Sequence, residues 1–273
     1  MQILKRFFDF YLQASIHVSI AVSSLVFMTN IMFQQAFDLN MTGFAFFGTL
    51  FGYNFIKYEV FFRHKLPFKK ALTPTLILSL IAFFLSIFFF LRLEFKTQIA
   101  AIVFFGMTFL YAVPVSSTKK NLRNWSGIKI YIVAFCWAGV TTILPTINFG
   151  IEPYQDIFFK FCQRFLLVIV LILIFEIIDL KYDDSSLFTV PQKIGIGKTK
   201  KLGYLLLIPF YFLEFFKTSV DNIQLIVNVI LVVVTGMFLF FANENRSRYY
   251  TTFWVESIPI FWLGLLMVFQ MYH

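Results

Sequence analysis

Apolar segments about as long as a membrane-spanning helix recur along the whole chain. A helix needs roughly 20 mostly apolar residues to cross the hydrocarbon core of a bilayer. Cutting the sequence at its charged and turn-forming stretches leaves nine such segments. They cover residues 11–33, 41–62, 72–92, 98–115, 128–147, 157–180, 202–217, 223–242 and 252–270. This pattern predicts an all-α, polytopic membrane bundle of nine transmembrane helices that forms one domain, residues 1–273.

The composition agrees with a membrane protein. The 273 residues are 59% hydrophobic and 14% charged, whereas a soluble domain carries about 25% charged residues. The net charge of +9 comes from lysines and arginines spread over short loops between apolar runs, which favours membrane topology over nucleic-acid binding. Cys136 and Cys162 lie inside apolar runs without metal-type spacing, so they indicate neither a disulfide framework nor a zinc site. We expect no nucleic-acid partner.

The distribution of basic residues predicts an orientation. Alternate connections carry most of the lysines and arginines, and the intervening connections are short and mostly acidic. Because cationic loops stay in the cytoplasm, the N-terminus is predicted to be cytoplasmic and the C-terminus outside. Lys5 and Arg6 precede an apolar run that lacks a clear cleavage site, which predicts a retained first helix. We expect an integral, multi-pass protein of a bacterial inner membrane.

Carboxylates follow the most hydrophobic segment, which is uninterrupted from Leu167 to Phe175. At about 100° per residue, Glu176, Asp179 and Asp183 fall within roughly 60° of one another on a helix. Acids at the C-terminal end of a helix oppose its macrodipole, so a cation is expected beside them. Mg²⁺ is one candidate, since it typically binds one or two carboxylates together with substrate phosphates.

A solvated helix end is the alternative interpretation of these acids. Asp183 and Asp184 are near enough in sequence to Lys181 and Lys193 to pair with them in water. Glu176 and Asp179 lie within or beside the apolar run, and acids at membrane depth usually face the bundle interior or a cavity. For these two acids the sequence favours a functional role.

The residues around the acids resemble a known motif. Glu176, Asp179 and Asp183 are followed by "TVPQKIGIGKTK", which begins at Thr189. At the end of the sixth of nine helices, this arrangement resembles the second motif of the UbiA superfamily of intramembrane prenyltransferases. Glu176 stands where that family has an Asn three residues before D-x-x-x-D. The stretch "LYAVPVSSTKKNLR" resembles the family's tyrosine and basic loop, with Tyr111, Pro114, Lys119, Lys120 and Arg123.

The family's first motif, N-x-x-x-D-x-x-x-D, is degenerate in this chain. The stretch "YNFIKYEVFFRHK" places Asn54, Tyr58 and Phe62 at the three motif positions, so the Asn remains and both aspartates are replaced. Lys57 lies on the same broad helix face as Asn54. Its ammonium group would neutralise the acids of the sixth helix without a metal. The sequence leaves the metal and the lysine as alternatives.

The resemblance implies prenyl transfer at the cytoplasmic face. It implies that Glu176, Asp179 and Asp183 hold Mg²⁺. It implies diphosphate binding by Lys119, Lys120, Arg123 and Lys193, and substrate orientation by Asn54, Lys57, Tyr58 and Tyr111. The expected partners are an isoprenyl diphosphate, a hydrophobic acceptor that is aromatic or a lipid, and membrane lipid.

Two other classes of function, a non-catalytic binding protein and a transporter, are alternatives to prenyl transfer. A non-catalytic protein of the same fold would bind an isoprenoid lipid or a membrane partner. A transporter would place polar residues at the bilayer midplane, whereas the acids here cluster at one membrane face.

Lys160 and Arg164, near the outer end of the sixth helix, are expected to snorkel to the headgroups. Gly195 and Gly197 are candidate hinges of a lid.

Overall fold

The computed structural model describes residues 2–63, 72–112, 128–152, 154–184 and 187–271, and every regular element in them is helical. The α-helices are α1 (Gln2–Gln13), α2 (Ile16–Met32), α3 (Leu39–Arg63), α4 (Thr73–Phe90), α5 (Phe95–Ala112), α6 (Ile128–Ala138), α7 (Leu144–Phe149), α8 (Tyr154–Asp179), α9 (Val190–Phe212), α10 (Asn222–Phe241) and α11 (Ile258–Met271). A short π-helical turn, Gly139–Ile143, connects α6 to α7, and a second one, Tyr250–Val255, precedes α11. A 3₁₀ turn, Leu213–Phe216, extends α9.

A helix occupies each of the nine apolar segments, which confirms the all-α membrane architecture. Within the described ranges, five helical stretches are individually long and apolar enough to cross a bilayer. They are Thr73–Phe90, Lys129–Phe149, Tyr154–Asp179, Asn222–Phe241 and Tyr250–Met271. The bent pair of α1 and α2 would make a sixth. The count of nine spans therefore stays a prediction.

Helix α8 lies at the centre of the bundle. It packs against α6 and α9 most extensively and also touches α10 and both π-helical turns. Its buried residues lie on all sides of the helix, as expected for a helix surrounded by others. The largest core cluster joins it to its neighbours through Leu25 of α2, Leu171 of α8, Phe210 of α9, Leu231 of α10 and Trp262 of α11. Residues at both ends of α8 are therefore held in fixed positions relative to several helices.

The first predicted segment, residues 11–33, is broken instead of continuous. Ser15 adopts the left-handed conformation (φ 61°), and the axes of α1 and α2 differ by 55°. A break leaves carbonyl groups without helical partners. Asn54 Nδ2 donates to Ala14 O at 3.0 Å and Lys57 Nζ donates to Gln13 O at 3.3 Å. Side chains of α3 thus stabilise the break from outside the helix.

The seventh segment begins earlier than predicted. Helix α9 starts at Val190, twelve residues before the predicted residue 202. Gln192 Oε1 accepts a hydrogen bond from Thr189 N at 2.9 Å, and Pro191 suits the first helical turn. Gly195 interrupts the helix with φ 78° and ψ 158°, a conformation that glycine adopts at little cost. The predicted hinge glycine therefore marks a real break in α9.

Candidate functional site

Glu176 fastens the end of α8 to two other helices. The residue is 4% exposed, and its Oε2 accepts a hydrogen bond from Val190 N, the first residue of α9, at 2.9 Å. Its Oε1 lies 3.9 Å from Nζ of Lys129 at the start of α6. Both carboxylate oxygens are engaged by protein groups. These contacts link the C-terminal end of α8 to the first residues of α6 and α9.

Asp179 and Asp183 lie next to each other in the turn that ends α8. Asp179 O accepts hydrogen bonds from Tyr182 N at 2.7 Å and Asp183 N at 2.9 Å, which folds the chain back by one turn. Both aspartates are half-buried. Within the described residues their carboxylates accept no hydrogen bond, in contrast to Glu176. Two carboxylates that accept no hydrogen bond from the described residues therefore lie at this end of the bundle.

Two cations complete the charge pattern of this end. Lys129 and Arg248 are both within electrostatic range of Asp179, as is the carboxylate of Asp183. The Arg248 guanidinium also lies 4.3 Å from the ring centroid of Tyr182, between the two aspartates in sequence. Sequence reasoning did not assign either cation to the site. The sequence indicates them only by their position: Lys129 lies at the start of the fifth apolar segment, and Arg248 lies just before the ninth.

The residues of the degenerate first motif bind the break between α1 and α2. Asn54 is 1% exposed; its Nδ2 donates to Ala14 O and, at 2.9 Å, to Ser79 Oγ of α4. Its Oδ1 accepts from Ser15 Oγ at 2.9 Å. Tyr58 interacts with Thr75 of α4. These bonds hold α2, α3 and α4 together, so the geometry favours a positioning role for Asn54 over direct contact with a substrate.

Lys57 does not lie against the acids of α8. Its Nζ donates to Ser15 Oγ at 2.8 Å and to Gln13 O, and among the described side chains the acid in electrostatic range is Glu256, which follows the π-helical turn Tyr250–Val255. The hypothesis that Lys57 neutralises Glu176 and Asp179 is therefore wrong. The lysine that pairs with Glu176 comes from α6, because that helix packs directly on α8.

Of the remaining predicted site residues, only Lys193 has a described side chain. Lys193 lies exposed in the first turn of α9, three residues after Val190, and so belongs to the same end as the acids. The side chain of Tyr111 and all of Lys119, Lys120 and Arg123 lie outside the described residues. Their roles stay predictions.

The basic residues in the N-terminal half of α8, the half predicted to be outer, are buried, which corrects the prediction that they snorkel. Lys160 is 2% exposed and bonds to Glu214 Oε2 at 2.9 Å and to Gln224 Oε1 at 3.2 Å. Glu214 also accepts from Gln163 at 3.0 Å, from Asn228 at 3.1 Å and from Lys217. Lys160 lies on the side of α8 that packs against the 3₁₀ turn Leu213–Phe216 and α10, so its ammonium group faces the interior of the bundle. We call this set, Lys160, Gln163, Glu214, Lys217, Gln224 and Asn228, the outer network.

Arg164 is also buried, one turn further along α8. Its Nη1 donates to Leu25 O at 2.9 Å, Thr29 Oγ1 at 2.8 Å and Thr141 O at 2.8 Å. Thr141 belongs to the π-helical turn Gly139–Ile143. Arg164 therefore ties α2 to this irregular turn through neutral oxygens.

The fold resembles three solved structures over nearly the whole chain. A UbiA homologue from Aeropyrum pernix K1 matches with a TM-score of 0.68 at 12% identity, covering 94% of this chain and 98% of that one. The chain adopts the UbiA fold. A UbiA homologue from Archaeoglobus fulgidus bound to DMAPP and Mg²⁺ matches with a TM-score of 0.56 at 11% identity and 94% coverage of both chains. A digeranylgeranylglyceryl phosphate synthase matches with a TM-score of 0.55 at 17% identity, covering 98% of this chain and 97% of that one.

The likeness confirms the fold that the resemblance predicted. No protein-family model matches the sequence, and no curated protein matches it. Identities of 11% to 17% to the three neighbours make this a likeness of fold.

The residues present fit a metal ion only when a ligand supplies further oxygens. Within the described residues, no three His, Cys, Asp or Glu side chains come together as a metal site. Glu176 is less available to a metal ion than the two aspartates, because Val190 N donates to its Oε2 and Lys129 Nζ lies 3.9 Å from its Oε1; its role as a ligand stays a prediction. Asp179 and Asp183 have free carboxylate oxygens, and two carboxylates with substrate phosphates are a typical Mg²⁺ environment.

Proposed function

We propose that this protein is an intramembrane prenyltransferase that transfers an isoprenyl group from an allylic diphosphate to a hydrophobic acceptor. The observation that supports it most directly is the pair of free aspartates, Asp179 and Asp183, facing Lys129 and Arg248 at one end of a UbiA fold. Carboxylates and fixed cations together suit a metal-bound diphosphate. One structural neighbour was solved with DMAPP and Mg²⁺, which have this chemistry.

Binding of the diphosphate would use both charge types. Asp179 and Asp183 would hold Mg²⁺, and when bound the ion neutralises negative charge that develops on the diphosphate as its carbon–oxygen bond breaks. Lys129 and Arg248 supply fixed positive charge at the same place. The predicted residues Lys119, Lys120, Arg123 and Lys193 would add to this charge. Glu176, which the sequence also predicted as a ligand, holds α9 against α8 through its hydrogen bond with Val190 N.

The transfer replaces one bond of the prenyl carbon by another. The allylic carbon–oxygen bond breaks and leaves inorganic diphosphate; the allylic carbon bonds to a nucleophilic atom of the acceptor, which loses a proton. The isoprenyl chain would lie among the apolar helices, and the acceptor would be aromatic or a lipid. Tyr58 and Tyr111 are proposed to orient the substrate, with Asn54 acting through the α2–α3–α4 contacts.

The site would face the cytoplasm of a bacterial cell, in its inner membrane. The basic connections predict this orientation, with the N-terminus inside and the C-terminus outside. Lys5 and Arg6 of α1 lie at the same end of the bundle as the site, since α1 contacts the loop that carries Arg248 through Asp9 and Tyr249.

A non-catalytic isoprenoid-binding protein is the second candidate. Its support is the first motif, where Tyr58 and Phe62 replace the aspartates and Asn54 and Lys57 are engaged in the break between α1 and α2. A protein with one carboxylate pair instead of two would bind a diphosphate without the second set of metal ligands.

Calorimetry of the full-length protein in mild detergent tests the first proposal. Dimethylallyl and geranylgeranyl diphosphate would be titrated with Mg²⁺ and with EDTA, in wild type and Asp183→Asn. We expect Mg²⁺-dependent binding that weakens by about a hundredfold in the variant. Glu94→Gln, an exposed acid at the opposite end of the bundle, is the matched control.

Turnover then separates the two candidates. Release of diphosphate in the presence of an acceptor, lost in Asp183→Asn, is the result expected of the enzyme. Binding that persists in EDTA and is unaffected by Asp183→Asn would reject the metal site and favour the non-catalytic binder. No binding of either diphosphate would overturn both candidates.

A further inference from the structure

Helix α1 presents an apolar face that nothing in the described structure covers. Ile3, Leu4 and Phe7 are 71%, 76% and 69% exposed. The helix turns away from α2 by 55° at Ser15, so it lies across the end of the bundle instead of continuing the span. An amphipathic helix in this position rests in the membrane interface, with its apolar face towards the acyl chains.

The other side of α1 is anchored to the protein. The ring centroid of Phe8 lies 5.8 Å from that of Tyr249 and 5.1 Å from that of Phe253. Tyr249 OH also donates a hydrogen bond to Asp9. Tyr11 OH and His17 Nδ1 share a hydrogen bond of 2.6 Å across the break. The exposed face of α1 therefore belongs to a fixed helix.

A groove with both apolar and cationic walls runs between α1 and the loop before α11. Its volume is about 680 Å³, and it is lined by Leu4, Lys5, Phe7, Phe8, Tyr11 and Tyr249. Lys5 and its neighbour Arg6 are exposed, and neither makes an ion pair or hydrogen bond with the described residues. The groove thus combines an uncovered apolar surface with the positive charge of Lys5, and the next residue, Arg6, places a second exposed cation on the same helix turn.

We propose that this groove binds an anionic phospholipid of the membrane surface. An acyl chain would cover Leu4, Phe7 and Phe8, and the phosphate would pair with Lys5 and Arg6. Free phosphate would leave the apolar wall in water, and a zwitterionic lipid would compensate the two cations only partly. The lipid would sit at the end of the bundle that carries Asp179, on a surface separate from the α8 carboxylates.

Native mass spectrometry of the full-length protein in detergent tests the site. The probes are dioleoyl phosphatidylglycerol and dioleoyl phosphatidylcholine, each titrated separately while retained lipids are counted. We expect about tenfold tighter binding of phosphatidylglycerol by wild type, because basic residues near a membrane surface attract anionic headgroups. The Lys5→Gln/Arg6→Gln variant is expected to lose this preference.

The matched control is Arg92→Gln/Lys96→Gln, which removes two exposed basic residues from the opposite end of the bundle. It is expected to keep the preference. Equal binding of the two lipids by wild type, or a preference unchanged in Lys5→Gln/Arg6→Gln, would overturn the proposal. Displacement of phosphatidylglycerol by millimolar inorganic phosphate would also overturn it, since it would assign the site to free phosphate.

Thermal unfolding gives a second measurement that does not depend on lipid retention. A lipid that binds the native state raises the unfolding temperature. We expect phosphatidylglycerol to raise it more than phosphatidylcholine does in wild type and in the control, but not in Lys5→Gln/Arg6→Gln. Both substituted residues are exposed, so the variant is expected to fold.

Discussion

The two ends of α8 carry polar residues of opposite character. Near its N-terminal end, the predicted outer end, the outer network surrounds Glu214 with four donors, and Glu214 is 0% exposed. At its C-terminal end, the predicted inner end, Asp179 and Asp183 are half-buried and accept no hydrogen bond within the described residues. A carboxylate whose bonds are filled by protein holds helices together, whereas one with free oxygens is available to a ligand. Burial alone therefore does not identify the functional end of this helix.

The largest effect on stability is expected from breaking the outer network. Glu214→Gln leaves Lys160 and Lys217 without their counter-charge in a buried site, which should cost about 3 kcal/mol of unfolding free energy. Denaturant unfolding in mild detergent would measure it. Diphosphate affinity of the folded variant should be unchanged.

Two further variants sharpen this result. Glu94→Gln, an exposed acid, should unfold like wild type. Lys160→Met/Glu214→Leu removes both charges of the closest pair and should recover much of the loss, because apolar replacement of a buried ion pair is often neutral. A loss below about 1 kcal/mol in Glu214→Gln would show that the outer network does not hold the bundle together.

The opposite outcome is expected at the inner end. Asp179→Asn should weaken Mg²⁺-dependent diphosphate binding by about a hundredfold, which corresponds to about 2.7 kcal/mol, because it removes a proposed metal ligand. Unfolding free energy should change little, since no described hydrogen bond depends on this carboxylate. Calorimetry and unfolding of the same preparation would measure both. A large loss of stability with unchanged affinity would make Asp179 a structural residue.

A third variant tests whether Asn54 positions helices or contacts substrate. Asn54→Ala removes its bonds to Ala14 O, Ser79 and Ser15 and should cost about 2 kcal/mol of unfolding free energy. Diphosphate affinity of the folded variant should stay within about threefold of wild type, a change of less than 1 kcal/mol. Asn245→Ala, in an exposed loop, is the control. Loss of affinity without loss of stability would assign Asn54 to substrate binding.

Sequence predicted the helices well because bilayer thickness fixes the length of an apolar segment. It missed the break at Ser15, since the side chains that stabilise that break, Asn54 and Lys57, come from another helix. It also missed the early start of α9, because the polar stretch after Thr189 has no apolar periodicity to indicate a helix.

The candidate site was predicted only in part for the same reason. The acids of α8 are visible as carboxylates beside an apolar run. Their cations, Lys129 and Arg248, come from α6 and from the loop after α10, and only the packing of those elements brings them to Asp179. The sequence hypothesis paired Lys57 with Glu176 and Asp179, although Glu256 is the acid near it. The sequence indicates which face of its helix Lys57 occupies, but it does not indicate which element packs against that face.

The smallest expected effect distinguishes Glu176 from the aspartates beside it. Glu176→Gln keeps an acceptor oxygen for Val190 N and loses only the charge that faces Lys129 at 3.9 Å. Lys129 is 23% exposed, so solvent weakens this pair and the loss of unfolding free energy should be about 1 kcal/mol or less. Diphosphate affinity should stay within about threefold of wild type, a change of less than 1 kcal/mol. If instead Glu176→Gln lowers Mg²⁺-dependent affinity as far as Asp179→Asn does, Glu176 would be a third metal ligand through Oε1, which accepts no hydrogen bond from the described residues while Oε2 stays bonded to Val190 N.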